Sequence, residues 1–511
     1  MDETYERILC SISVEHQNIA HRTLQLLTFD FGITHLGALL DALAVDIELC
    51  TFSRDNRILD PEALLEACTC LITITPGNDA AHNKNFFGVQ LAHYTVKEYL
   101  VSDRIGHSSA GIFQMSTESV YPFVAKCFIT YLLNEDYHDL PKQWSNYALI
   151  GLMTAAMRHW PFIVREIDSD PARTAIIPLT LRLLDSTGPH FQNWVKASKD
   201  LPPEDEIPEW SVTRGCESCL TLAYLCYFGL FEAAKKFVEN LPEPVPFETE
   251  IKLIISYDTW INEGTESGEI ERQGYVEDGK LLHIAALTGQ ISFVKYFISK
   301  GADINAISAK GLSVLGSAVG AGWQSFRQPE CMLEIVELLL KNGADPNLSK
   351  VSFTPMQYVM SEWPQRSGIT VTIAKILVKF EADVNGVGSD ESNIARLFLS
   401  IEDFCLQNDN TKYVNLDFED IITRRYEMWH YDSHLRIVER QMKSIIDEPQ
   451  KSTYEHDRLN KLASAKSFLI SCGAKSLHYD PISNLPGHIQ ARIEEFFWRI
   501  WQRRIFIHVE R

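Results

Sequence analysis

The stretch from Lys280 to Asn347 constrains this chain more than any other, because one pattern occurs in it twice with the same internal order. The first copy runs Leu281-Leu282-His283-Ile284-Ala285-Ala286, then Gly289, then Val294-Lys295-Tyr296-Phe297-Ile298, and ends Gly301-Ala302-Asp303-Ile304-Asn305. The second keeps Gly311, Ser313-Val314-Leu315 and Ala318 and closes on Leu338-Leu339-Leu340-Lys341-Asn342-Gly343-Ala344-Asp345-Pro346-Asn347. A third begins Thr354-Pro355-Met356 and closes Ile376-Leu377-Val378-Lys379, then Glu381-Ala382-Asp383-Val384-Asn385. Each copy spells two short helices and a hairpin. Ala285 and Ala286 are small enough to let paired helices approach, and Gly301 and Gly343 stand where the second helix ends and a left-handed backbone favours glycine. Asp303 and Asn305 suit the hairpin that leads on. One such unit, roughly 33 residues long, cannot bury its own apolar face and must stack on its neighbours.

The pattern closely resembles the ankyrin repeat. That resemblance implies a mainly α fold, an α-solenoid of paired helices whose recurring positions build scaffold. It also implies recognition of a protein partner by projecting edges. His283 occupies the repeat position whose imidazole bonds hairpin backbone, so a structural role is expected for it.

Bulk properties narrow the partner. A chain of 511 residues with 45% hydrophobic and 11% aromatic content is not mainly disordered. A formal charge of -21 opposes generic binding of nucleic acid or an anionic membrane. The 11 cysteines are mostly single and set in apolar helical stretches (Cys10, Cys127, Cys226, Cys331), which reads as reduced core thiols of an intracellular protein, cytoplasmic or nuclear. Cys216-x-x-Cys219 and Cys68-x-Cys70 lack a second pair or a histidine cluster at zinc spacing. No charged-then-apolar signal opens the chain, and no apolar run approaches the roughly 20 residues that span a bilayer.

From the N-terminus, helical spacing predicts helices over Asp2 to Cys10, Glu15 to Leu27 and His35 to Ile47, with a fourth after Pro61. The period then changes to two strands, Leu71 to Thr75 and Phe86 to Leu91, joined by a polar loop holding Pro76-Gly77-Asn78-Asp79. Helices followed by a hairpin suggest a winged-helix-like module over residues 1–107. Asp2-Glu3-Thr4-Tyr5-Glu6-Arg7-Ile8-Leu9 and Val89-Gln90-Leu91-Ala92-His93-Tyr94-Thr95-Val96-Lys97-Glu98-Tyr99-Leu100 resemble the segment that follows the nucleotide-binding module of fungal NACHT-ankyrin proteins, which are signal-transducing NTPases. The resemblance implies that this module regulates by intramolecular contact. Its fifteen acidic against seven basic residues argue against DNA independently. The phosphate-cradling Gly-x-x-x-x-Gly-Lys-Ser/Thr loop of such NTPases has no match, so the chain reads as starting just after the NTPase and ATP-driven switching does not carry over.

Residues 108–210 read as a helical linker domain, with amphipathic runs at Tyr121 to Leu133 and Tyr147 to Trp160. Trp144, Trp160 and Trp194 are expected as core anchors. The proline-rich Leu201 to Pro208 marks a boundary. A degenerate repeat at Ser218 to Val238 is expected to open an array over 211–480, and residues 481–511 to hold a capping helix at about Ile489 to Arg504. The region Leu241 to Glu277 reads as a decayed copy or an insertion. A fourth copy runs from Asn393 to Lys475, split by a charged insertion that includes His434 to Ile446.

Insertions point to the contact residues. His283 to Gly301 spans 18 positions, whereas Gly316 to Gly343 spans 27 and Gln357 to Glu381 spans 24. The added residues include Trp323, Phe326, Trp363 and Arg366, the side-chain types that dominate interfaces. Hairpin tips add Ile307, Ser308, Lys310 and Ser349. No zinc-peptidase pair, nucleophile elbow, dinucleotide fingerprint or calcium loop occurs, so no catalytic residue, metal, cofactor or small-molecule ligand is expected. The sequence therefore reads as a non-enzymatic interaction scaffold, the sensor half of a NACHT-ankyrin receptor without its switch. The alternative is an ankyrin regulatory adaptor or transcriptional co-regulator attached to a fungal metabolic pathway.

Overall fold

Apolar residues recurring at helical spacing become helices almost throughout the computed structural model. It describes residues 2–58, 61–79, 84–134, 147–198, 210–212, 216–253, 279–309, 311–320, 329–348, 354–362, 367–384, 438–439, 442–443, 453–472 and 474. The chain divides into two compact units, Met1–Trp210 with Arg214–Val245, and Ser211–Thr213 with Pro246–Arg511.

In the first unit, α1 (Asp2–Cys10), α2 (Val14–Thr28) and α3 (Leu36–Ala44) lead to two short paired strands, β1 (Val45–Asp46) and β2 (Thr51–Phe52), and then to α4 (Pro61–Cys68). The hairpin of β3 (Ile72–Asp79) and β4 (Lys84–Leu91) follows in antiparallel register, from Ile72 opposite Leu91 to Asp79 opposite Lys84. Both strands are longer than expected. Pro76 and Gly77, expected in the loop, lie in β3 opposite Phe87 and Phe86. A proline has no N–H for a ladder, but in a two-stranded ribbon it can face the free edge. Along β4, Val89 N–H donates to the Thr34 carbonyl (2.9 Å), which seats the ribbon on the loop before α3.

After α5 (Tyr94–Leu100) and α6 (Asp103–Gly106) come α7 (Thr117–Asn134), α8 (Tyr147–Arg165), α9 (Asp170–Leu183) and α10 (Pro189–Ser198). The division expected at residue 107 does not interrupt the packing, because α7 lies against α2 and α3 as well as α8 and α9. Phe128 and Tyr131 on α7 are fully buried, and Phe31 from the loop before α3 meets Phe128 edge-on at 6.4 Å. Helix α8 also runs past Trp160 through Pro161, where burial of Trp160, Ile163 and Val164 holds a helix that a missing N–H weakens.

The anchoring tryptophans behave as their residue type predicts. Trp160 and Trp194 are completely buried and meet at 6.1 Å, and Trp194 also packs on Tyr224 (5.8 Å) and Phe228 (5.9 Å). Trp144 lies outside the described residues. Tyr224 and Phe228 belong to the expected degenerate repeat, which forms the helix pair α11 (Glu217–Tyr227) and α12 (Phe231–Glu239). This pair is part of the first unit, where α12 packs on α9 and the Thr221 hydroxyl donates to the Leu184 carbonyl (3.0 Å). Its large aromatic side chains suit a globular interior better than the small-residue surface of a stacked repeat.

In the second unit the helices come in pairs: α13 (Leu281–Leu287) with α14 (Ile291–Ser299), α15 (Val314–Gly320) with α16 (Pro329–Lys341), and α17 (Pro355–Glu362) with α18 (Ser367–Lys379). The first helices pack in the order α13, α15, α17, and the second helices in the order α14, α16, α18. Leu281, Ala285, Val314, Leu339 and Leu377 line the shared interior and are buried. A further helix, α19 (Thr453–Ser471), corresponds to the end of the expected fourth copy. The expected start of that copy at Asn393, nearly all of the insertion and the expected terminal helix lie outside the described residues.

Candidate partner-binding surface

The surface is built by the turns that close each helix pair. Gly301 and Gly343 adopt φ of +93° and +95°, and a Cβ at either would meet nothing within 4 Å, so the demand for glycine is conformational and not steric. The chain then turns through Asp303, whose carboxylate accepts the Asn305 N–H (2.9 Å), and Asp345 repeats this with Asn347 (2.8 Å). Asn305 reaches across to the next pair: its Nδ2 donates to the Gly343 carbonyl (3.1 Å) and its Oδ1 accepts the Asp345 N–H (2.8 Å). Asn347 does the same with the Glu381 carbonyl (3.2 Å) and the Asp383 N–H (2.7 Å). An asparagine ladder thus ties each hairpin base to its successor. The signal was present as Asp-x-Asn at the same place in three copies, at 303–305, 345–347 and 383–385, but the pattern reads equally as an isolated turn.

Beyond the ladder, the first hairpin is bridged antiparallel between Ile307 and Ser313. Ser308 N–H donates to the Leu312 carbonyl (2.9 Å), and the Ser308 hydroxyl accepts the Leu312 N–H (3.2 Å). His283 Nε2 bonds the same carbonyl (3.0 Å), while its Nδ1 accepts the Lys280 N–H (3.3 Å), which makes Nε2 the protonated nitrogen. Burial pulls the His283 pKa down to about 4, against the Leu312 carbonyl, which favours the charged ring. The imidazole is therefore a neutral strut between helix and hairpin, the position expected of it.

Of the eight expected contact residues, two are described. Ile307 is half-buried on the hairpin. Ser308 is only 5% exposed and its hydroxyl is engaged within the turn, so it shapes the tip and does not project from it. Exposed Ala309 beside it presents the outer surface. Lys310, Trp323, Phe326, Ser349, Trp363 and Arg366 lie outside the described residues. On the helical side, Lys295 pairs with Glu334 across neighbouring pairs (2.9 Å), an exposed contact worth little by itself.

This geometry, with two antiparallel helices, a left-handed glycine and a hairpin held by a buried histidine, is matched by comparison with known families. The ankyrin repeat model aligns with residues 281–309. Residues 281–309 are an ankyrin repeat. The chain is also similar to the azaphilone pigments biosynthesis cluster protein L of Monascus ruber, 27% identical over 197 residues. That similarity covers 38% of this chain and spans 41% of the relative's length.

Little else in the described residues is shaped for chemistry. Among them, no group of three or more His, Cys, Asp or Glu side chains could hold a metal ion, and no helix is long and apolar enough to cross a membrane. Burial raises the Cys127 thiol to about 12 and the Cys68 thiol to about 11, so both stay protonated and unreactive. Cys127 and Cys226 are core thiols as expected, whereas Cys10 is exposed at the end of α1 and Cys331 is partly exposed. Cys10 is the last residue of its helix and faces solvent there. The Asp41 carboxylate is buried against the Arg57 guanidinium, with Arg22 donating to the Val45 carbonyl (2.7 Å) nearby, an arrangement that fastens the end of α3.

Proposed function

We propose that this chain is a non-enzymatic interaction scaffold whose ankyrin repeats form a short solenoid and bind a protein partner, in the service of a fungal metabolic pathway. The observation that carries this reading is the ankyrin repeat at 281–309 continued by two further helix pairs joined through the asparagine ladder. A stack of this kind offers an extended edge to a partner, and ankyrin repeats are interaction modules. The likeness to a pigment-cluster protein favours a regulatory adaptor over the sensor half of a NACHT-type receptor. The receptor reading rests on the N-terminal motifs around Tyr5 and Tyr94, on a weaker likeness through the helical region, and on repeats that the adaptor reading shares. Under either reading the helices and β3–β4 hairpin of the first unit act as a winged-helix-like regulatory module that does not read DNA.

The test is cross-linking mass spectrometry on the tagged full-length chain purified from its native host. Partner cross-links should concentrate on Lys295, Lys300 and Lys341, and the double substitution Trp323→Ala and Phe326→Ala should lower partner recovery about tenfold, as expected for loss of aromatic anchors. Cross-links confined to residues 1–245, or recovery untouched by the double substitution, would reject the repeats as the binding element.

A further inference from the structure

The asparagine ladder begins differently from how it continues, because among the described residues the Asp303 N–H is met by a carboxylate and not by an asparagine. It donates to Glu248 Oε1 (3.2 Å), which stands to Asp303 as Asn305 Oδ1 stands to Asp345 and Asn347 Oδ1 to Asp383. Glu248 belongs to the segment Pro246–Leu253, and its neighbours extend the contact. Phe247 packs on the fully buried Phe297 of α14 (5.5 Å), and Glu248 Oε2 pairs with Lys280 Nζ (2.6 Å). Glu250 Oε1 accepts the Ala309 N–H at the hairpin tip (2.8 Å), and Ile251 exchanges backbone hydrogen bonds with Gly279 (2.8 and 2.9 Å).

We propose that Pro246–Leu253 is a built-in strap that occupies the open edge of the first ankyrin hairpin, with Glu248 taking the ladder place that asparagine holds further on and Glu250 closing the tip. Four residues within five positions, Phe247, Glu248, Glu250 and Ile251, bind one edge. A turn over Phe247 and Glu248, closed by the Thr249 N–H on the Pro246 carbonyl (3.0 Å), sets Glu248 against the base of the hairpin, and the chain beyond it brings Glu250 to the tip, so both carboxylates find backbone N–H donors in the hairpin. Both N–H groups stand on exposed residues of the hairpin, where a terminal repeat would leave them to water. The strap supplies these acceptors where a neighbouring repeat would have done so, and it covers Phe297 where that repeat's helix would have packed. It follows that this edge is filled by the chain itself and that a partner engaging the Ala309 tip meets Glu250 first.

Amide hydrogen exchange on the full-length protein tests the assignment. Glu248→Ala should speed exchange of the Asp303 amide about tenfold and Glu250→Ala that of the Ala309 amide similarly, with the Asp345 and Asp383 amides unchanged as internal controls. Glu248→Gln decides between the two roles of Glu248. Its carboxamide keeps the acceptor and adds a donor like that of Asn305, so the Asp303 amide should stay as protected as in the parent although the Lys280 pair is lost. Exchange of Asp303 in Glu248→Gln as fast as in Glu248→Ala would overturn ladder mimicry. Parent amides of Asp303 and Ala309 exchanging at unprotected rates would overturn the strap itself.

Discussion

The two units bury their apolar residues by different means. In the first, Trp160, Trp194 and Tyr224 come from α8, α10 and α11 and converge on one aromatic interior, so each ring depends on helices far apart in sequence. In the second, Leu281, Val314 and Leu377 are aliphatic, come from successive pairs, and are tied by the Asn305 and Asn347 links to the next pair only. An interior assembled from distant pieces should fail as a whole. One assembled from nearest neighbours should fail by degrees.

The largest predicted effect tests the first half of that contrast. Trp194→Ala removes a side chain with no exposure and leaves a cavity bounded by Trp160, Phe191, Tyr224 and Phe228, at a cost of about 3–5 kcal/mol. Amide protection across α7 to α11 should fall together, by roughly two to three orders of magnitude. Protection of the amides in α13 to α18 should hold. Loss restricted to α10 would show that the aromatic interior is not cooperative and would erase the distinction between the units.

A smaller effect, confined to the repeat, is set by pH. The His283 pKa is depressed to about 4 in the folded chain from an ordinary value of 6.5. Between those values the unfolded state binds more protons than the folded one, so stability is complete above about pH 6.5 and declines as pH falls toward 4. The shift corresponds to roughly 3 kcal/mol, lost locally as the imidazolium forms in its buried place and beside Lys280. Hydrogen exchange of the Leu312 and Ser313 amides should report it. His283→Asn should remove that pH dependence while lowering stability at neutral pH, and a variant that kept the same acid slope would place the sensitive group elsewhere.

The contrast also explains how far the sequence could be read. The repeat announced itself because its determinants are local: Gly301, Gly343, the paired alanines and the Asp-x-Asn turns recur at a fixed spacing. Helices α1 to α4 and the β3–β4 hairpin were legible for the same reason, as period and breaker residues decide them within a few positions. What composition could not reveal was partnership. The pair α11–α12 spells a degenerate repeat, yet Tyr224 and Phe228 place it in an aromatic interior assembled from α8 and α10. Pro76-Gly77 looks like a loop, and only its cross-strand neighbours Phe87 and Phe86 make it strand. Glu248 and Glu250 were indistinguishable from the other carboxylates of an acidic chain, because their role depends on backbone N–H groups 55 and 59 positions away.

The smallest predicted effect sharpens the local half of the comparison. Where the first two ankyrin-like pairs end on glycine, the third has Glu381, held at φ +67°. A side chain in that conformation costs about 1–2 kcal/mol, whereas glycine gives up about 0.5–1 kcal/mol more backbone freedom on folding. The Glu381 carbonyl, which accepts from Asn347 Nδ2, survives the change because it belongs to the backbone. Glu381→Gly should therefore stabilise the third pair by about 0.5–1 kcal/mol, the difference between those two terms. The Asp383 amide would exchange some two- to fivefold more slowly, and the Asp345 amide, one pair earlier, would gain less. Equal gains at both amides would mean that the pairs act as one cooperative block, and a loss at Asp383 would mean that the Glu381 side chain contributes more than its backbone strain costs.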